Sequence, residues 1–337
     1  MNFAPLVETP EARNIFQKLF LELYSIQEPI IQLNHIMHWV RRFGIETPNL
    51  DNTPTLVLEG FFYNTSTPVP TASKITEYLE MGYQKDVHQF IIPTVRNNAD
   101  TKVIESHGFQ KIPWFIEATY EIHNGVDEDL RSQLGGKRLR EILRLVRMAE
   151  RDYELEFYTI NEILVDPSIL QTTAHLHACN VNKYNHALNF YSYSILKHIS
   201  ESLLGENLLI CIRKDKETQQ SIQTSISFID QSRSQMYQLV QGIDQENIRK
   251  GHNLYLVDTY HLYKFAENLG IREINLGRGG QHEKLKIGAN RFSLLNNWVA
   301  NVKLDISEEV SLLIKRSMEV LGLKEHETTI IGKYPIG

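Results

Sequence analysis

Residues 235–277 read QMYQLVQGIDQENIRKGHNLYLVDTYHLYKFAENLGIREINLG, and the order of patterns inside them decides the fold class. QMYQLVQG (235–242) reads as a strand, apolar residues recurring beside polar ones. GHNLYLVDTYHLYKFAENLG (251–270) carries apolar residues at helical spacing and stops on Gly270. REINLG (272–277) is a strand again. Two more strands precede this unit, NLLICIR (207–213) and SIQTSISFI (221–229). Three consecutive strands, a helix and a further strand predict an α/β (α+β) architecture with a mixed, mainly antiparallel sheet flanked by helices.

Outward from that core the alternation continues. QHEKLKIG (281–288) predicts a short helix, RFSLLNNWVANVKL (291–304) a strand, and 306–322 a closing helix. Upstream, ELEFYTI (154–160) is strand-like, and 166–204 holds two helical stretches. Residues 126–152 form one long helical pattern with a break at Gly135-Gly136. Helices are expected over 11–24 and over 27–44, the latter ending at Gly44, with strands at 55–63, 87–95 and 114–122. Short helices end at Gly82 and at Gly108. The succession "helix, Gly, Phe or Ile, strand" occurs in ESHGFQKIPWFIEATYEI and again in AENLGIREINLG. It suggests two related lobes, 1–125 and 153–337, joined by a helix over 126–152.

Composition bounds the rest. The chain has 337 residues, about two domains by length. Its 18 Gly and 11 Pro exclude a collagen-like or Gly/Pro-rich disordered chain. No apolar run is long enough for a transmembrane helix. The start, MNFAPLVETPEARN, lacks a basic region followed by an apolar one, so a cytoplasmic location is expected. Cys179 and Cys211 support neither a disulfide framework nor a Cys-based zinc site. His175 with His177, and His35 with His38, lack further ligands, so no metal is expected. A net charge of -6 gives no global attraction to nucleic acid, so a polyanion needs a local basic patch.

One such patch is visible. Lys137, Arg140, Arg144, Arg147 and Arg151 fall at alternating steps of three and four, which places them on one helical face. Leu139, Ile142, Leu143 and Val146 make the apolar face. The stripe is a candidate for phosphate groups of coenzyme A, a carrier arm or RNA; a solvated helix face paired with acids is the plainer alternative. Arg249, Lys250, Gly251, His252 and Asn253 form a basic, Gly-containing turn between strand and helix, a geometry that aims backbone N–H groups at a phosphate. GxGxxG and GxxxxGK[ST] are absent, which removes support for dinucleotide and nucleoside-triphosphate enzymes. Gly277, Gly279 and Gly280 imply an irregular turn after a strand, and His282, Glu283 and Lys284 open the next element, where they could supply a base, an acid or an anchor.

From about residue 104 to 300 the chain resembles the GCN5-related N-acetyltransferase superfamily, and within it the Fem-like, peptidoglycan-biosynthesis-like branch with two acetyltransferase-like lobes in tandem. The resemblance rests on IESHGFQKIPWFIEATYEI, on the basic helix DEDLRSQLGGKRLREILRLVRMAER, and on the closing passage that keeps Lys284, Leu285 and Gly288 of a Lys-Leu-x-x-Gly run. It implies an N-terminal lobe without a donor site and a C-terminal lobe that carries one. The superfamily's donor turn reads Gln/Arg-x-x-Gly-x-Gly/Ala; here the frame is Ile248-Arg249-Lys250-Gly251-His252-Asn253. Where related helices place a carboxylate, this chain has Leu256, with Asp258 the nearest acid.

The expectation is therefore an N-acyltransferase that moves an acyl or aminoacyl group from an acyl-CoA, an acyl carrier or an aminoacyl-tRNA onto an amine of a small metabolite or peptide. No tightly bound cofactor is implied. Asp258, Tyr260, His282 and Glu283 are the candidates for proton transfer. Arg249 to Asn253 and Lys284 are the candidates for donor binding, and Arg144 and Arg147 for the acceptor. The rival is a non-catalytic module of the same fold that binds a carrier protein or a peptide.

Overall fold

The computed structural model describes residues 30–32, 43–58, 67, 69–97, 99–182, 189–323, 329–330 and 334–335. In chain order the elements that matter are β1 (Ile30–Gln32), α1 (Pro48–Asp51), β2 (Pro54–Val57), α2 (Ala72–Gln84), β3 (Gln89–Arg96), α3 (Lys102–Glu105) and β4 (Gln110–Glu121). Next come α4 (Val126–Leu134), α5 (Gly136–Asp152), β5 (Tyr153–Tyr158), α6 (Ile160–Val165), α7 (Ser168–Val181), α8 (Tyr193–Ser200), β6 (Leu208–Asp215), β7 (Ser221–Asp230) and β8 (Gln235–Ile243). The remainder is α9 (Leu254–Asn268), β9 (Glu273–Arg278), α10 (Gln281–Lys286), β10 (Arg291–Asn301) and α11 (Ser307–Leu321). The helix expected over 11–24, and His35 and His38, lie outside the described residues. Within the helix expected over 27–44, residues 30–32 are instead the strand β1, because Ile30 finds a cross-strand partner in Leu56 of β2. Tertiary pairing of β-branched residues overrides the helical spacing there.

The chain forms two compact units: an inserted unit containing Thr119–Asn290, and a flanking unit whose described residues lie within Phe16–Ala118 and Arg291–Gly337. This corrects the expected boundaries at 125 and 152. The 126–152 segment lies wholly inside the inserted unit, and β10 and α11 return to the N-terminal part. The cause is a long-range pairing: β10 runs antiparallel to β3, from Leu295 opposite Arg96 to Asn301 opposite Gln89. No local pattern announces a partner two hundred residues away.

In the flanking unit the strand order is β1-β2-β3-β10-β4, with β2 and β3 parallel. Alternate side chains fill two cores. Leu56, Phe90, Ile92 and Trp298 pack with Ile75 and Tyr78 of α2. Val57, Ile91 and Val299 pack with Leu50 of α1 and with Val310 and Leu313 of α11.

In the inserted unit the end of β4 is followed by β9-β8-β7-β6-β5. β5 to β8 form an antiparallel meander, and β8 pairs with β9 in parallel. A parallel pair needs a crossover, and α9 supplies it. The helical pattern at 126–152 splits at Gly135, whose φ of 85° only glycine adopts without strain. The buried side of α5 is Leu139, Ile142, Leu145, Val146 and Ala149, so the apolar face runs through Leu145 rather than Leu143.

Gly242 on β8 marks the closest approach in the unit. A Cβ there would lie 2.5 Å from the backbone nitrogen of His177, so α7 rests directly on the strand. Gly242→Ala should therefore lower stability by about 1–3 kcal/mol through overpacking, read as a shift in urea midpoint. His177 itself is buried and meets the Tyr191 ring edge-on, and burial holds its imidazole down to about 4. The unfolded chain, titrating at the ordinary 6.5, binds a proton first, so stability is whole above that pH and is lost as pH falls toward 4. His177→Gln should flatten the pH dependence of the urea midpoint across that window.

Candidate active site

The parallel pairing of β8 and β9 is short. Gln235, Met236 and Tyr237 lie opposite Glu273, Ile274 and Asn275, and no further pairs follow although both strands continue. Two residues later β8 carries a bulge at Leu239, where the register against β7 slips between Ile226/Val240 and Ser227/Gln238. A bulge bends its strand and increases the local twist. The two strands part, and a cavity of about 370 Å³ opens between them. One wall is β8 from Gln238 to Gln241; the other is Leu276 and Arg278 of β9 with Lys284 of α10; Tyr255 of α9 and Asn180 of α7 close the ends.

The three-glycine turn delivers Lys284. Gly277, Gly279 and Gly280 all have positive φ, and Gly280 in the left-handed conformation precedes the first residue of α10. The chain thus reverses tightly enough for Lys284, only 6% exposed, to reach back: its Nζ donates to the carbonyls of Gly277 at 2.8 Å and Arg278 at 3.2 Å. Gly288, the last residue of the Lys-Leu-x-x-Gly run, is fixed by packing, since a Cβ would stand 2.4 Å from Cδ2 of Leu130.

The four residues read as proton-transfer candidates do not gather at this cavity. Asp258 is buried under the sheet; burial pushes its carboxyl up to about 6 against the pull of the Arg213 charge. The Tyr260 hydroxyl donates to Asp127 at 2.8 Å, and burial with that carboxylate raises its pKa. His282 and Glu283 are exposed, and Glu283 pairs with Lys286 at 2.7 Å. Arg144 and Arg147 are exposed on α5; with Lys137 and Arg140 they make no ion pair among the described residues, whereas Arg151 is bound to Asp152.

The turn 249–253 is held from within. The Arg249 guanidinium donates to both oxygens of Asp215, at 2.7 and 2.8 Å, and to Glu217 at 3.0 Å. Its backbone N–H donates to the Tyr153 hydroxyl. His252, 2% exposed, meets Asp152 at 2.9 Å. Asn253 caps α9 by accepting from the Leu256 N–H. Lys250 is exposed, and space beside Gly251, at φ 88°, is open. Arg249 and the Asp215 hydrogen bonds hold that carboxyl well below its usual range.

Of the sequence candidates, the cavity therefore gathers Lys284. The residues missed are Gln238, Gln241, Tyr255 and Arg278. Gln238 and Gln241 are three apart, which in a regular strand puts them on opposite faces. The bulge brings both to one face, opposite Ser227 and Ser225 respectively. Only the three-dimensional register carries that signal. Among the described residues no cluster of three His, Cys, Asp or Glu could hold a metal ion. Nor is any helix among them long and apolar enough to cross a membrane.

No protein-family model and no curated protein matches the sequence. Solved structures do match in shape. L-PGS from Bacillus licheniformis is 10% identical, covers 94% of this chain and 99% of its own, and gives a TM-score of 0.52. The C-terminal domain of a protein from Agrobacterium fabrum designated lysylphosphatidylglycerol synthetase is 8% identical over 73% of this chain and 78% of its own, with a TM-score of 0.52. FemX is 12% identical over 74% of this chain and 81% of its own, with a TM-score of 0.51. The fold is thus shared with FemX and with L-PGS.

The internal clasp on the turn gives a direct test. Asp215→Ala removes the bidentate partner of Arg249 and should lower the urea midpoint, with faster amide hydrogen exchange through 249–253. Unchanged exchange there would mean that the clasp does not order the turn.

Proposed function

We propose that the chain is an N-acyltransferase that moves an acyl or aminoacyl group from an activated donor, a thioester or an ester, onto an amine. The observation that carries this is the parting of β8 from β9. It leaves a strand edge without a strand partner on one wall of a cavity and a buried lysine on the other. Backbone N–H groups on such an edge can bind the donor chain and its carbonyl in place of the missing strand.

The chemistry needs little from side chains. The acceptor amine attacks the acyl carbonyl, and negative charge develops on its oxygen. Collapse breaks the bond to the leaving sulfur or oxygen, which takes up a proton as the amine loses one. Lys284 offers a positive charge in the cavity wall, suited to the developing oxyanion or to the leaving group. Proximity of the two substrates supplies much of the remaining rate. The shared fold with FemX and L-PGS supports a transfer reaction of this kind.

Because Arg249 is tied to Asp215 and Glu217, the phosphates of a CoA, a carrier arm or a tRNA are better met by Lys250 and by the exposed cations of α5, among them Arg144 and Arg147. A small metabolite or peptide amine is the acceptor in this reading, and the cytoplasm is the compartment. The four proton-transfer candidates lie away from the cavity, which is the one observation favouring the rival, a non-catalytic module that binds a carrier protein or peptide.

The test is incubation with a panel of acyl-CoAs and aminoacyl-tRNAs plus amine acceptors, read by mass spectrometry of the products. Turnover should appear with at least one donor class, and Lys284→Met should lower kcat about 10²–10³-fold with the fold retained by circular dichroism. Tight binding of a carrier protein or peptide with no product from any donor would favour the module.

A further inference from the structure

The sheet face beneath α9 carries a polar row where apolar side chains are the rule. Arg213 on β6 stands opposite Gln223 on β7. Gln241 on β8 stands opposite Ser225, two residues on, and is thus the diagonal neighbour of Gln223 on the same face. Arg213 and Gln223 are each 1% exposed, whereas Gln241 lines the cavity. The row is bonded end to end. Arg213 donates from Nε to Gln223 Oε1 at 3.1 Å. Gln223 Nε2 donates to the carbonyl of Leu254 at 3.1 Å and to Gln241 Oε1 at 3.4 Å. Gln241 Nε2 donates to the Thr259 hydroxyl at 3.4 Å. At the other end a terminal nitrogen of Arg213 meets His261 Nδ1 at 3.3 Å, and His261 Nε2 meets the exposed Glu150 of α5 at 3.3 Å. One chain of polar side chains thus runs from solvent to the cavity wall.

The sense of each bond follows from Arg213, because a guanidinium only donates. Gln223 must turn its oxygen to Arg213, which leaves its amide nitrogen for Leu254 and Gln241. Gln241 must then present its oxygen to Gln223, which leaves its nitrogen for Thr259. The amide in the cavity wall therefore has one orientation instead of two. The same rule fixes His261. Nδ1 accepts from Arg213 and carries no proton, so the neutral ring holds its proton on Nε2, toward Glu150. A second proton would set an N–H against the guanidinium, and its ready acceptor is the backbone carbonyl of Val257, one helical turn back. Burial and the Arg213 charge hold the imidazole below its ordinary 6.5, with Glu150 and the Val257 carbonyl pulling the other way. The other titratable groups acting on Arg213 are Asp258 of α9, Cys211 of β6 and Tyr153 of β5.

We propose that His261 is a proton-operated switch on the cavity wall: a proton on Nδ1 turns the ring from Arg213 to the Val257 carbonyl, and Gln223 and Gln241 lose the orientation that Arg213 imposes. The released guanidinium is drawn to the Asp258 carboxylate, whose charge already acts on it. Gln241 then offers the cavity a different pattern of donor and acceptor. The two arrangements of one buried contact supply the two states that a switch needs. The device belongs to the wall itself, so it holds whether the cavity transfers an acyl group or only binds a partner.

The test is an NMR titration of the intact protein from about pH 8 to about pH 5. It follows the ring signals of His261 beside the side-chain amide signals of Gln241, identified by their loss in Gln241→Leu. Both sets should move together, with a midpoint below 6.5. His261→Gln keeps an oxygen that can accept from Arg213 but takes up no proton, and in it the Gln241 signals should stay still. Gln241 signals that stay still while His261 titrates, a ring that remains neutral throughout, or movement that persists in His261→Gln each overturn the proposal. Movement that persists there and vanishes in Asp258→Asn assigns the effect to Asp258, whose carboxyl burial raises to about 6, and overturns it too. If His261→Gln does not fold, Glu150→Gln, at an exposed position, removes a charge that favours the ring proton. Both midpoints should then fall together, and an unmoved Gln241 midpoint overturns the proposal.

Discussion

Three residue pairs hold β8 to β9, and the cavity exists because the pairing stops there. Each neighbouring feature follows from that limit. The crossover that makes the pair parallel is α9, whose inner face must then lie over the sheet. The bulge at Leu239 turns the rest of β8 away from β9, and Gly242 lets α7 sit against the strand without a side chain between them. The glycine turn after β9 brings Lys284 back across the gap.

Electrostatics set the two basic segments apart. The turn at 249–253 has the backbone of an anion site, with an open approach at Gly251 and a helix start behind it. Its side chains are otherwise engaged: Asp215 and Glu217 hold Arg249, and Asp152 holds His252. Carboxylates this close reduce the positive potential that a phosphate would meet. On α5 the balance reverses, since Lys137, Arg140, Arg144 and Arg147 reach solvent and make no ion pair among the described residues, the nearby Glu141 being paired with Arg138. In a chain of net charge -6, that face is where an anion would gain most, and the gain would fall with salt.

Local patterns carried far into this fold. The meander at 207–242, the crossover helix and the strand after it all stand close to where periodicity put them, because each buries one face against the next element in sequence. What was illegible was long-range. β10 pairs with β3 across the whole inserted unit, so the unit boundaries fall at 118 and 290. Lys284 was legible from its Gly-rich setting. Gln238 and Gln241 were not, because a one-residue bulge changes which face a side chain takes without changing composition. Asp258 was visible as the nearest acid in a helix, yet nothing in the string of letters says that its neighbours across the sheet are Ser225 and Arg213.

That neighbourhood changes what Asp258 can do. A proton-transfer group must reach the reacting atoms, and Asp258, 1% exposed, sits behind the wall instead of in it. Filling this face with valines would remove unsatisfied atoms and strengthen the core at once. A chain that instead keeps Arg213, Asp258, Ser225 and Ser227 beneath its crossover helix has a polar core there, with the Ser225 hydroxyl beside the Asp258 carboxylate and Arg213 held by Gln223 and His261.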